Sequence, residues 1–120
     1  MKLTLHTEGW FDSAHCLKNY KGKCANVHGH TYKIEVWVCG DSDQLDKAGI
    51  LWDFGNLKEI LNHFDHKNLN DLYKVNSTAE NQCMEIFNQL KIMNEHLQFK
   101  VRLYEQLLPK ESYCECGDLE

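Results

Sequence analysis

The sequence predicts an α+β fold: an antiparallel sheet of about four strands with two helices on one face. Three observations carry this. Apolar residues alternate over 2–15 and 30–39, two stretches that a long hairpin can pair, and alternate again over 98–106. Between them lie two runs with helical spacing: Leu57, Ile60, Leu61 and Phe64, then Ala79, Cys83, Ile86, Phe87 and Leu90. Strands grouped on either side of a helix pair give an antiparallel sheet covered on one face, not an alternating parallel fold.

The first strand carries Leu3, Leu5, Trp10 and Phe11, with a bulge or bend expected at Glu8-Gly9, and ends in Phe11-Asp12-Ser13-Ala14-His15. Residues 16–27 read as a polar loop. In the second strand His30, Tyr32, Ile34, Val36 and Val38 share one face, and Thr31, Lys33, Glu35, Trp37 and Cys39 the other. Gly40-Asp41-Ser42-Asp43 is a turn signal. Asp53 can cap a helix over 55–64. A loop over 63–73 leads to a second helix from near Ser77 to about Asn94. Beyond the strand at 98–106 lies Pro109, and Ser112–Glu115 is either a last short strand or a mobile tail. Such a sheet has two open edges in a chain too short to close them, so edge-to-edge assembly between subunits is the natural remedy.

With 120 residues, the whole chain, 1–120, is expected to form one domain. Hydrophobic residues at 42% suffice for a core. A net charge of -5 and a pI near 5.8 argue against general binding to nucleic acid or to a membrane surface. There is no apolar run of membrane-spanning length. The strand pattern starts at Lys2 without a signal-peptide pattern, which points to the cytoplasm. The six cysteines are therefore read as reduced thiols, with Cys39 and Cys83 as core residues.

The densest chemistry is Cys24-Ala25-Asn26-Val27-His28-Gly29-His30. On a strand, His28 and His30 point to the same face, and His15 at the end of the paired strand can sit across from them. Three neutral imidazoles with an open fourth position suit catalytic zinc, although nitrogen ligands alone admit other divalent ions. Ordinary hydrogen-bonded histidines are the competing reading. Cys24 is a fourth ligand, a proton acceptor or an inert thiol; as a fourth ligand it would close the site into a structural one. Asp65-His66 is either an acid/base pair, the carboxylate orienting the ring, or a turn. Ser77-Thr78-Ala79-Glu80 has the form of a capping box, Ser77 bonding the amide of residue 80 and Glu80 reaching back, which competes with a ligand role for Thr78 or Glu80. Glu105 falls on the apolar side of its strand, which calls for a partner or a ligand amine unless it is an ordinary edge residue. Lys18, Lys21, Lys23 and Lys33 cluster around the metal loop in an acidic chain and can steer an anionic substrate.

These residues resemble the 6-pyruvoyl-tetrahydropterin synthase family from Phe11 to Glu105, through Phe11-Asp12-Ser13-Ala14-His15, Cys24-x-x-x-His28-Gly29-His30, Asp53-Phe54-Gly55-x-Leu57-Lys58, Asp65-His66-x-x-Leu69-Asn70, Thr78-Ala79-Glu80-Asn81 and Glu105. The resemblance implies a tunnelling fold, with three subunits joined edge to edge in a barrel, two trimers stacked as a homohexamer, and active sites between subunits. It implies that His15, His28 and His30 hold Zn2+, that Cys24 accepts a proton, and that His66, oriented by Asp65, is the second acid/base. It implies that Glu105 anchors the pterin and that Thr78 and Glu80 line its pocket. Three residues between Cys24 and His28 resemble the 6-carboxytetrahydropterin synthase branch of queuosine (7-deazaguanine) biosynthesis. That branch converts dihydroneopterin triphosphate to 6-carboxytetrahydropterin with release of acetaldehyde and triphosphate. Ser77 stands where the family usually has proline, and Gln106 where threonine is common.

Three functions compete at this level: this zinc lyase; a pyruvoyl-forming or folate-pathway side-chain cleavage; and a non-catalytic zinc or pterin-binding module. The expected partner is a small pterin triphosphate, with no nucleic acid and no membrane.

Overall fold

The computed structural model of the chain describes residues 1–119. Strands β1 (Lys2–His15) and β2 (His28–Asp41) pair antiparallel along their whole length, from Lys2 opposite Asp41 to His15 opposite His28. β4 (Gln98–Gln106) pairs antiparallel with the other side of β2, and β5 (Ser112–Gly117) with β4. The tail after Pro109 is thus a strand of the sheet.

The sheet has five strands where about four were expected, in the order β3 (Lys67–Asn68), β1, β2, β4, β5. The addition is β3, which runs parallel to Ser13–Ala14 of β1. Both its residues are exposed, so it leaves no alternation to read. It is held instead by what precedes it: the His66 N–H donates to the Asp12 carbonyl at 2.6 Å.

Helices α1 (Gly55–Asn62) and α2 (Ala79–Met93) cover one face of the sheet. Phe11, Tyr32, Ile34, Val36, Phe99, Val101 and Leu103 from the strands form one buried cluster with Leu57, Ile60 and Leu61 of α1 and Cys83, Ile86 and Leu90 of α2. No bulge occurs at Glu8-Gly9, where the ladder keeps register. Gly9 serves a different need: a Cβ there would come within 2.8 Å of Leu61 Cδ1, so its absence lets α1 lie close on β1.

Asp53 Oδ1 accepts the Gly55 N–H, but the N-cap position of α1 is Phe54, one residue after the expected Asp53. At α2 the expected cap is off by one. Thr78, not Ser77, is the N-cap, its Oγ1 accepting the Asn81 N–H at 3.1 Å, and Ser77 is fully buried. Adjacent Ser and Thr have the same capping chemistry, so only packing decides between them.

All six cysteines are free thiols, and Cys39 and Cys83 are buried. Among the described residues no helix is long and apolar enough to cross a membrane. The other face of the sheet carries Trp10, Lys33, Glu35, Trp37 and Arg102, by alternation from Phe11, Ile34 and Val101.

Candidate metal centre and proton carriers

The β1–β2 register builds the site. His15 ends β1 directly opposite His28, and Ser13 pairs with His30. Alternation puts residues 13, 15, 28 and 30 on the helix-covered face. The His15, His28 and His30 rings converge there, with centroids 4.6 to 5.4 Å apart and one nitrogen of each within 4.8 Å of the others.

Hydrogen bonding fixes which nitrogens are free. His15 Nδ1 donates to the Ser77 carbonyl at 2.9 Å, and His28 Nδ1 donates to the Asn26 carbonyl at 2.8 Å. A carbonyl only accepts, so Nδ1 bears the hydrogen in both rings, and in a neutral ring that leaves Nε2 as the free lone pair. These two Nε2 atoms face each other at 3.0 Å. Two lone pairs so placed repel unless something positive lies between them. Two nitrogens on one tetrahedral zinc stand about 3.3 Å apart. His30 Nε2 is buried without a hydrogen-bond partner, its nearest carboxylate oxygen being Glu105 Oε1 at 3.7 Å. Burial lowers the pKa of His15 and of His30, partly offset at His15 by the Ser77 carbonyl and at His30 by Glu105. Three converging imidazole nitrogens, with His15 and His28 backed by carbonyls on their far sides, fit a divalent ion. The orphaned His30 nitrogen is the observation that ordinary hydrogen-bonded histidines do not explain.

Glu105 lies beside this cluster, on the core side of β4. Cys24 lies in a single 3-10 turn, Lys23–Ala25, tied back by the Leu17 N–H donating to its carbonyl at 2.8 Å. Its sulfur lies outside the cluster of ligand atoms, so the fourth-ligand reading finds no support in this geometry.

Asp65 and His66 do touch: His66 Nδ1 is 2.9 Å from Asp65 Oδ2. The other carboxylate oxygen accepts the Asp12 N–H at 3.0 Å. That amide, and then the His66 ring, hold the Asp65 carboxyl below its ordinary pKa. His66 itself has φ +55, and its side chain is 78% exposed. The pair belongs to a second cluster with Asp12, whose side chain accepts from Thr31 Oγ1 on the face opposite the histidines. The structure therefore does not bring His66 into the histidine group.

Thr78 is engaged in capping, and Glu80 is exposed in the first turn of α2 without the expected reach-back bond. Lys18, Lys21 and Lys23 are exposed on the loop beside the site, but Lys33 is not part of that group. It faces away and pairs with Glu8 at 3.4 Å. Two residues the sequence did not single out also stand at the site. Tyr32 is fully buried, its hydroxyl 3.5 Å from His15 Nε2, and Gln82 is fully buried behind Ser77. Tyr32 follows His30 by two, which was a legible signal, whereas Gln82 sits in the buried stripe of α2 four residues before Ile86.

Residues 4–116 match the sequence model of the family described as 6-pyruvoyl tetrahydropterin synthase. The chain belongs to this family. Among family relatives, a Haemophilus influenzae protein named 6-carboxy-5,6,7,8-tetrahydropterin synthase is 35% identical over 132 residues, covering 88% of this chain and 92% of its own. A Synechocystis protein of the same name is 35% identical over 95 residues, covering 72% and 74%. The solved structure of Caenorhabditis elegans 6-pyruvoyl tetrahydropterin synthase superposes with a TM-score of 0.77 at 26% identity, over 99% of this chain and 97% of that one.

Proposed function

We propose that this pterin-synthase family member is a zinc-dependent 6-carboxytetrahydropterin synthase. It converts dihydroneopterin triphosphate to 6-carboxytetrahydropterin with release of acetaldehyde and triphosphate, in queuosine biosynthesis. The observation that carries the reading is the convergence of three imidazole nitrogens beside Glu105, in a chain whose relatives of that name match most of its length.

His15, His28 and His30 would hold Zn2+, which supplies Lewis-acid stabilisation of negative charge on the oxygens of the substrate side chain. Glu105 accepts N–H donors of the pterin and fixes its orientation, and Thr78 and Glu80 line the pterin pocket. Cys24 takes a proton from the side chain. His66, its ring oriented through Nδ1 by Asp65, carries the second proton. Lys18, Lys21 and Lys23 raise the local concentration of the triphosphate. Because Asp65-His66 and the histidine cluster occupy opposite faces of one sheet, the complete site draws its second proton carrier from a neighbouring copy. A homohexamer of edge-joined trimers provides this. We place the enzyme, a single domain over 1–120, in the cytoplasm.

The solved C. elegans relative supports a second reading, a 6-pyruvoyl-forming reaction. Product analysis by mass spectrometry on dihydroneopterin triphosphate separates the two. Acetaldehyde and 6-carboxytetrahydropterin in equal amounts are expected; a pyruvoyl product without acetaldehyde overturns the assignment.

A further inference from the structure

The three candidate ligands are not supported alike. His28 is backed by a carbonyl two residues away in its own loop. His15 is backed from α2, across the core. Its Nδ1 meets two oxygens of one residue, Ser77 O at 2.9 Å and Ser77 Oγ at 3.0 Å. His15 and Ser77 are 1% and 0% exposed. A carbonyl oxygen has a second lone pair, and here it is taken by Gln82 Nε2 at 2.7 Å.

Gln82 is itself 0% exposed. An amide buried on the core face of a helix loses its hydration and is costly unless its polar atoms are used. Its Oε1 has no protein partner, so the side chain is worth keeping only for its donor end. That donor end is spent on the Ser77 carbonyl. The backbone N–H of Gln82 also donates to the next carbonyl, Thr78 O, at 2.9 Å. One residue thus pins two successive peptide groups at the point where the chain enters α2.

We propose that Gln82 is a positioning residue for the metal centre: by locking the Ser77 carbonyl onto His15 Nδ1, it fixes the tautomer of His15 and the direction of its Nε2. Ser77 is the intermediary, and its hydroxyl adds an acceptor that a proline at this position lacks. The proposal rests on the zinc reading above. Partners behind a ligating histidine typically change metal affinity by about 10- to 100-fold.

The test uses the full chain and Gln82→Met, which keeps length and volume and removes the donor. Gln82→Leu is the alternative should the methionine variant not fold. Long-range 1H–15N spectra of the metal-free proteins report the His15 tautomer, chelator competition reports zinc affinity, and the visible spectrum of the cobalt(II) form reports ligand geometry. Wild type is expected to hold His15 as the Nδ1–H tautomer. A folded variant is expected to lose that single tautomer, bind zinc about 10-fold or more weakly, and show an altered cobalt spectrum. A folded variant that matches wild type in all three overturns the proposal. A wild-type protein that binds no zinc overturns the metal-centre reading itself, and this proposal with it.

Discussion

The histidine cluster and the Asp12–Asp65–His66 cluster lie at the same end of β1, on opposite faces and in opposite surroundings. Around His15 the chain closes over its own polar atoms. The rings converge, carbonyls back His15 and His28, and the His30 Nε2 is buried without a partner. Around Asp65 the carboxylate is held by a backbone amide, but the ring it orients is mostly solvent-exposed. One chain therefore assembles the histidine cluster unaided, while it presents the His66 ring outward.

The largest expected effect separates the two regions by what each removes. His30→Ala should abolish stoichiometric zinc binding together with turnover. His66→Ala and Cys24→Ala should keep zinc while turnover falls by about 10²- to 10⁴-fold, the usual worth of a positioned proton carrier. Zinc analysis and steady-state rates check both, and zinc loss in Cys24→Ala would mean that its sulfur is a ligand after all.

A smaller effect tests where the two regions meet. If the working site combines His66 of one copy with Cys24 of another, each inactive variant still carries one of the two groups. Unfolding and refolding Cys24→Ala and His66→Ala together should then restore part of the activity that neither shows alone. No recovery in the mixed assembly would place both groups in a single chain's site.

The smallest effect concerns acidity. The Asp65 carboxyl is held below its ordinary value of 3.8, first by the Asp12 amide and then by His66. A carboxyl with a depressed folded-state pKa stabilises the fold above its unfolded-state value, and the contribution is lost as pH falls through the folded-state value. Carbon-13 titration should find Asp65 ionised through the usual carboxylate range, and His66→Ala should shift it upward. The denaturation midpoints of wild type and Asp65→Asn should converge as the pH is lowered below that range.

Much of this site was legible from alternation alone. Residues 28 and 30 share a face because strand side chains repeat every two residues, the hairpin sets His15 across from them, and the same count puts Glu105 on the apolar side of its own strand. The opposed placement of Asp12 was equally countable once the β1–β2 register was known. What escaped was decided by packing. β3 is two residues long and exposed on both sides, so it has no pattern, and its parallel pairing follows from where α1 ends. The choice of Thr78 over Ser77 as cap could not be made locally, because both side chains suit the position, and burying Ser77 against His15 decided it. Lys33 looked like a neighbour of Lys18 and Lys23 along the chain, yet the pleat sends it to the other side of the sheet. Gln82 was hidden by its helix, since a polar residue in a buried stripe reads as an interruption until its carbonyl partner is seen.

β3 covers β1 only at Ser13 and Ala14, so among the described residues no strand pairs with the outer side of the first strand from Lys2 to Phe11. Every second amide along that rail points away from β2. Deuterium uptake there consequently gauges association rather than folding: quick in a solitary chain, slow once another copy lays its own edge alongside. The amides turned toward β2 supply the reference within the same strand.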